Sequence, residues 1–245
     1  TYGILTVGAD GTYTYVAGSN NGTDSFTYTI SGGTATDTAT LIITVSPNAA
    51  PNVVNDTDSV TEGGTVTETT NSQGTVLSDD SDDDGETLTV SGTVTQTSAT
   101  ANGGSSITIS EPNSASVGSA VTGYYGQLTL DSDGTYSYVA NQSTAEALDD
   151  SESGTDVFTF AVSDGITTTS STITFTVNGQ NDAPTVVNDT DSVTEGGTVI
   201  ETTNSQGTVL SDDSDVDGDS LTVSGTVTQT SATANGGSSI TISSP

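Results

Sequence analysis

Short runs in which apolar and polar residues alternate recur along the whole chain. Leu128 and Leu130 flank a threonine, and similar runs follow at Tyr13/Tyr15, Phe26/Tyr28, Leu41/Ile43/Val45, Leu88/Val90, Ile107/Ile109, Tyr136/Tyr138, Phe158/Phe160/Val162 and Ile173/Phe175/Val177. Since successive side chains of a strand point to opposite faces, a period of two predicts β-strands with one buried face. Turn signals such as Asp133-Gly134 and Asp164-Gly165 separate the runs. The pattern predicts an all-β fold made of antiparallel β-sandwiches of about 100 residues each.

The sequence repeats itself with a constant offset of 133 residues, as from Asn55 to Asn188, and residues 52–112 differ from residues 185–245 at six positions. Tyr2-Gly3-Ile4-Leu5 also parallels Tyr125-Gly126-Gln127-Leu128. We therefore predict tandem repeats in three parts: 1–47, the C-terminal half of one repeat; 48–181, a complete β-sandwich repeat; and 182–245, the N-terminal half of the next. Because the chain begins in mid-pattern, we interpret it as a window of a longer protein.

The charge is one-sided: 32 residues are Asp or Glu, none is Lys, Arg or His, and the net charge is −32. Binding to nucleic acid or to an anionic membrane surface requires basic residues, so neither is expected. The longest apolar run is Leu41-Ile42-Ile43, so no membrane insertion is expected. Without His, Lys or Cys, only paired carboxylates remain for catalysis, and these lie in turn motifs that repeat along the chain, so the protein is expected not to be an enzyme.

Two acidic loops, 79–86 and 212–219, carry carboxylates at alternate positions, with a glycine after the third acid: Asp80, Asp82, Asp84 and Glu86, then Asp213, Asp215, Asp217 and Asp219. Like charges repel by about 1 kcal/mol per pair at 4 Å in water. D-x-D-x-D-G is also the opening half of a known calcium loop. The twelfth position holds Ser91 or Ser224 instead of Glu, and a strand-like Leu-Thr-Val precedes it. The loops are either calcium loops outside the EF-hand fold or solvated acidic turns.

Several motifs occur in a fixed order: 187–196 (VNDTDSVTEG), 209–212 (VLSD) leading into the acidic loop, 126–136 (GQLTLDSDGTY), 154–158 (GTDVF), 163–165 (SDG) and 181–184 (NDAP). This set resembles the VCBS-type repeats and the related bacterial cadherin-like repeats of very large surface and secreted proteins. The resemblance implies immunoglobulin-like or cadherin-like sandwiches, located extracellularly or on the bacterial cell surface, with calcium at the joints between domains.

Carried over position by position, the resemblance implies calcium ligands at Glu62 and Glu195 and at the joint residues Asn181 and Asp182. The earlier joint reads Asn48-Ala49-Ala50-Pro51 and lacks the aspartate. The implied function is that of stalk or extender repeats of an adhesin or filament. The implied partners are neighbouring repeats of the same chain, with cell-surface glycans or other cells as further candidates.

Two alternatives stay open. One is a carbohydrate- or protein-binding sandwich, whose site would be unique to one repeat. The insertion Gln142 to Ser153 is the candidate for it, and its Ser143-Thr144-Ala145-Glu146 capping box also predicts a helical turn. The other is a polymer in which residues 1–51 and 185–245 of different chains complete one another.

Overall fold

The computed structural model describes residues 1–68, 74–200, 207–233 and 239–240. We call residues 1–47 the first segment, residues 48–181 the complete repeat, and residues 182–245 the third segment. The parts of the predicted third unit at 201–206, 234–238 and 241–245 lie outside the described residues. The described residues contain no helix long and apolar enough to cross a bilayer.

The complete repeat consists of two sheets. Its strands are β5 (Asp56–Thr61), β6 (Thr65–Glu68), β7 (Thr89–Thr100), β8 (Ser106–Ile107), β9 (Ser114–Ser116), β10 (Val121–Thr122), β11 (Gln127–Leu130), β12 (Tyr136–Val139), β13 (Ser153–Ser163) and β14 (Thr168–Asn178), with a 3-10 turn at Asn102–Gly104. One sheet has the order β10-β11-β12-β6, and the other has the order β5-β14-β13-β7-β8, with β9 also paired to β7. Only β5 and β14 pair in parallel; the other described pairs are antiparallel.

The alternating residues of the two sheets meet in one core. Leu128, Leu130 and Tyr138 come from the first sheet, and Phe158, Phe160, Val162, Ile173, Phe175 and Val177 come from the second; all are at most 2% exposed. Tyr138 stacks on Phe175 with ring centroids 4.1 Å apart, so the aromatic rings join the sheets face to face. The prediction of an all-β sandwich is confirmed.

The first segment forms two antiparallel hairpins: β1 (Gly3–Val7) with β2 (Tyr13–Ala17), and β3 (Gly22–Gly32) with β4 (Ala35–Val45). Their registers match those of β11–β12 and β13–β14: Ile4 pairs with Val16 as Gln127 pairs with Val139. In the described part of the third segment, strand pairing is limited to β15 (Ala232–Thr233) with β16 (Ser239–Ile240) and a single bridge between Thr185 and Ser214.

Two strands are shorter than the alternating sequence pattern predicts. Leu88 and Ile109 are half-buried but lie just outside β7 and β8. The predicted helical turn is present: residues 143–147 form consecutive turns, and the Glu146 N–H donates to the Gln142 carbonyl as in one turn of a helix. Ala145 and Leu148 of this insertion are buried in the core, so packing fixes its conformation.

Candidate metal centre

The two acidic loops adopt the same conformation. Ser81 exchanges two backbone hydrogen bonds with Asn52, at 2.8 and 3.0 Å, and Ser214 exchanges two with Thr185 at the same distances. Gly85 and Gly218 both have φ of +84°, a left-handed conformation that favours glycine and explains the glycine after the third acid. The loop therefore forms in the third segment as well, where most of the sandwich strands are not paired.

The first loop gathers three carboxylates. One oxygen each from Asp82, Asp84 and Glu86 lies within 4.8 Å of the others. The Asp82 Oδ2 and Glu86 Oε2 atoms are buried and accept no hydrogen bond from the described residues. Asp82 is the largest cause of the raised pKa of Glu86, because a protonated Glu86 can donate a hydrogen bond to the Asp82 carboxylate; burial and the charges of Asp82 and Asp84 raise this pKa further. Oxygens at this spacing suit a hard cation that takes ligands at about 2.3–2.6 Å.

We call residues 46–52 the first joint, and it binds the acidic loop through its backbone. The Ala49 N–H donates to Asp84 Oδ2 at 2.5 Å. The Asn48 side-chain amide donates to Asp164 Oδ2 at 2.9 Å, in the turn between β13 and β14. This bond is the largest cause of the lowered pKa of Asp164. The Asn48 Oδ1 atom is buried without a described partner, and Asn48, Asp84 and Glu86 line one cleft of about 550 Å³.

We call residues 178–185 the second joint, and it brings together acids from two repeats. The Gln180 N–H donates to Glu62 Oε1 at 2.9 Å, and the Asp182 N–H donates to Asp217 Oδ2 at 2.6 Å. Burial raises the pKa of Glu62 to about 7, against the Gln180 hydrogen bond, and the charges of Asp182 and Asp217 raise it further. The Glu62 Oε2 and Asp217 Oδ1 atoms are buried and have no described hydrogen-bond partner.

Two further acids at the second joint were missed by sequence reasoning. Asp150 Oδ1 accepts from the Asn181 N–H at 3.1 Å. Asp149 is the largest cause of the raised pKa of Asp219, ahead of burial and of Asp215 and Asp217. Both residues lie in the insertion 142–153. Its extra length relative to the first segment is the sequence feature that could have indicated them. The insertion thus places acidic side chains at the joint.

The structure separates Asp80 and Asp213 from the other loop acids. Asp80 Oδ1 accepts from the Val54 N–H, and Asp213 Oδ1 accepts from the Val187 N–H, both at 2.8 Å. Asp80 instead neighbours Asp56. Burial raises the pKa of Asp56 to about 7, and the charges of Asp79 and Asp80 raise it further. The Oδ2 atoms of Asp56 and Asp80 are both buried without a described partner.

Glu195, the last of the predicted ligands, is exposed in the turn that contains Gly196. It occupies the position of Glu62 in the next repeat, one repeat length further along the chain. The acid that faces Asp182 and Asp217 is therefore Glu62.

The raised pKa values predict a pH effect on the protein in excess chelator. Asp56 and Glu62 have ordinary pKa values of 3.8 and 4.5, and both rise to about 7. A raised pKa means that the folded state holds its proton more tightly than the unfolded chain does. The stability from these groups is therefore present at low pH and lost as the pH rises to about 7.

We expect the melting temperature in chelator to fall between about pH 4.5 and pH 7 and then to level off. The double variant Asp56→Asn with Glu62→Gln should reduce this slope, whereas Asp10→Asn with Asp37→Asn, at exposed positions of the first segment, should keep it. A melting temperature that rises across this interval would contradict the assignment.

Comparisons with known proteins bear on the whole chain. The bacterial cadherin-like domain family matches residues 48–179, and the bacterial Ig domain family matches residues 1–44 and 181–245. The search of curated proteins found no match.

Among solved structures, the chain is similar to an endo-fucoidan hydrolase, MfFcnA4 from glycoside hydrolase family 107, with 17% identity, a TM-score of 0.27 and coverage of 73% of this chain. A variant of that enzyme gives 16% identity, a TM-score of 0.30 and the same coverage of this chain. This chain spans 22% of each of those chains. TM-scores this low do not establish a shared fold or function.

Proposed function

This chain belongs to the bacterial cadherin-like domain family, with bacterial Ig-like sequence before and after the matched region, and from that premise we propose that its repeats form a spacer stalk whose joints are stiffened by calcium. Domains of these families are typical of extracellular, adhesin-like proteins. The proposal adds that the chain extends an adhesin or filament outward from a bacterial cell. Its partners in this role are neighbouring repeats, and the role includes no catalysed reaction.

One observation carries the proposal: acids from adjacent repeats converge at the second joint. Glu62 belongs to the complete repeat, whereas Asp182 and Asp217 belong to the third segment, and their charges act on one another. The chain has no Lys, Arg or His to offset them. A bound calcium ion supplies positive charge and accepts oxygen ligands. With the ion bound, the three carboxylates are attracted to the same positive charge, which offsets their repulsion and holds the two repeats together.

The protein's own residues prepare each part of this joint. The Gln180 N–H orients Glu62, and the Asp182 N–H orients Asp217, which leaves one oxygen of each carboxylate without a described protein partner. At Gly179 a Cβ atom would lie 2.2 Å from the Leu148 carbonyl oxygen, so only glycine allows the linker to pack this closely on the insertion. The linker is therefore seated against the complete repeat before any ion binds.

The binding-module alternative gains no support from the insertion. Ala145 and Leu148 are buried in the core, and Asp149 and Asp150 lie at the second joint. The insertion, which the first segment lacks, thus contributes two apolar side chains to the core and two acids to the second joint. We keep the spacer stalk as the proposed function.

A calcium titration tests the proposal. Extracellular calcium sites bind at about 10⁻⁴ to 10⁻³ M, so about 5 mM calcium is roughly a 5- to 50-fold excess and stabilises the native state by about 1–2 kcal/mol per site. We expect about 5 mM calcium to raise the melting temperature relative to excess chelator, because binding favours the folded state. Small-angle X-ray scattering should show a longer mean end-to-end distance with calcium.

The variant Asp82→Asn with Asp84→Asn removes two carboxylates from the first loop and should reduce the calcium response. The exposed pair Asp10→Asn with Asp37→Asn removes the same charge and should leave the response unchanged. If neither the melting temperature nor the scattering profile changes between chelator and calcium, the loops are solvated turns and the proposal is wrong.

A further inference from the structure

Side-chain amides take the place of basic residues in this molecule. The sequence has no Lys, Arg or His, so no basic side chain can pair with a carboxylate. Amides donate to carboxylates instead, at 2.8–3.1 Å: Asn48 to Asp164, Gln96 to Asp156 and Asn102 to Glu152. Of these three amides, only that of Asn102 precedes a glycine. Glycine has no side chain to hinder the attack of its own nitrogen on the preceding asparagine, so Asn102 is the amide of this set that is most open to chemical loss.

The surroundings of Asn102 leave its backbone room to move. Asn102 is exposed in the 3-10 turn Asn102–Gly104, which connects β7 to β8. Gly103 has a φ of +76°, a left-handed conformation that favours glycine. A Cβ atom added at Gly103 or at Gly104 would meet no atom within 4 Å. The turn can therefore bring the Gly103 nitrogen toward the Asn102 side chain without disturbing the core.

The same dipeptide at Asn178-Gly179 is an internal comparison with a different environment. Asn178 ends β14 and pairs with strands on both sides, β13 and β5. The Gly179 N–H donates to the Glu152 carbonyl at 3.0 Å. A Cβ atom at Gly179 would lie 2.2 Å from the Leu148 carbonyl oxygen, so this glycine is closely packed. The two asparagines share their local sequence and differ in how far the fold restrains them.

We propose that Asn102 is a site of spontaneous deamidation, which replaces its amide with a carboxylate facing Glu152 and loosens the second joint. The Gly103 nitrogen bonds to Asn102 Cγ, the Cγ–Nδ2 bond breaks, and the side-chain nitrogen leaves as ammonia with the Gly103 amide proton. Water then adds to one carbonyl of the resulting succinimide ring and breaks its C–N bond, which gives aspartate or isoaspartate. Both products carry a new carboxylate. The inference goes beyond the spacer stalk, because it describes a covalent change that needs water alone.

Glu152 connects the turn that contains Asn102 to the second joint. Its Oε1 atom accepts from the Asn102 amide at 2.8 Å, its Oε2 atom accepts from the Asp149 N–H at 3.3 Å, and its carbonyl accepts from Gly179. The neighbouring Ser151 has a φ of +71°, which is unfavourable for residues other than glycine, so this turn depends on its contacts. A carboxylate at position 102 removes a donor and repels Glu152. The bond from Gly179 to Glu152 then weakens, and with it the packing of the linker on the insertion.

Peptide mapping of the 245-residue chain, aged in mildly alkaline buffer, tests the modification. Cleavage after leucine and aromatic residues places Asn102 in residues 89–124 and Asn178 in residues 176–210, and fragmentation in the mass spectrometer assigns the converted asparagine. We expect conversion at Asn102 to be at least about tenfold faster than at Asn178, because paired strands must open before Gly179 can react. Asn102→Gln should stay unconverted at this position, since glutamine cyclises through a larger ring. Equal rates at the two asparagines, or an intact Asn102, would overturn the proposal.

Hydrogen exchange at the Gly179 amide tests the effect on the second joint. Asn102→Asp installs the aspartate product directly, and we expect it to speed this exchange by at least about threefold, because the acceptor Glu152 is displaced. Asn113→Asp is the matched control: Asn113 is also exposed, but its amide donates to the Thr122 carbonyl. It adds the same charge and should leave the exchange at Gly179 as in the parent. If Asn102→Asp exchanges no faster than the parent, or if both variants are accelerated equally, the link from Asn102 to the joint is wrong.

Discussion

Replacing Asp156 with alanine is expected to destabilise the complete repeat by about 3–5 kcal/mol, because it removes the acceptor at the centre of a buried network. Asp156 is 0% exposed. Its two oxygens accept from the backbone N–H groups of residues 124, 125 and 126, from the Tyr138 hydroxyl and from the Gln96 side chain, at 2.7–3.1 Å. Alanine leaves all five donors in the core without this acceptor, and an unsatisfied buried group costs about 1–3 kcal/mol.

Urea unfolding followed by near-ultraviolet circular dichroism measures this effect, because the tyrosines of the network report on the same core. Asp133→Ala is the matched control. Asp133 is exposed, and among the described residues it accepts only from Thr135, through the backbone N–H and the hydroxyl. Its replacement should cost about 1 kcal/mol or less. A loss below about 1 kcal/mol for Asp156→Ala would show that the network does not hold the sandwich together.

Phe175→Ala is expected to cost about 3–5 kcal/mol, since it leaves a cavity where the two sheets meet. Phe175 is 0% exposed. It stacks on Tyr138 and makes edge contacts with Tyr136 and Phe158, with centroid distances of 4.1, 5.6 and 6.1 Å. The three contacting rings therefore lose a neighbour, and two of them, Tyr136 and Tyr138, lie across the interface between the sheets.

The first segment offers the control for this substitution. Ile43 occupies the position of Phe175 in β4, and it is only half-buried. Ile43→Ala should leave the unfolding transition of the complete repeat within about 0.5 kcal/mol of the parent. Equal losses for the two variants would mean that the aromatic cluster is not the junction between the sheets.

The period-two pattern was enough to predict the strands of the core. Ile173, Phe175 and Val177 alternate without interruption in β14, and all three are buried as expected. The pattern was weaker for β7, because register shifts at its pairing with β13 break the alternation. There a buried glutamine, Gln96, takes the place that an apolar residue would hold in a regular strand, and it does so because Asp156 accepts its hydrogen bond.

The candidate metal centre was predicted in outline only. The acidic loops and the joint residues were visible as motifs, whereas Asp149 and Asp150 were not, since they approach the second joint only through the folded insertion. The neighbour of Asp80 was also hidden, because Asp56 is separated from it by 24 positions of chain. Contacts of this range depend on the sheet arrangement, which a local spacing of carboxylates does not contain.

The parallel pairing of β5 with β14 has a consequence for a chain under tension. β5 follows the first joint and β14 precedes the second, so pulling on the two ends of the complete repeat draws these strands in opposite directions along their common axis. Their six paired positions, from Ile173 with Asp56 to Asn178 with Thr61, are then loaded in shear. Hydrogen bonds loaded in shear must break together, whereas an antiparallel hairpin pulled from its open end breaks one pair at a time. The topology thus gives the complete repeat resistance to force along the line between its two joints, the direction in which the proposed stalk would be pulled.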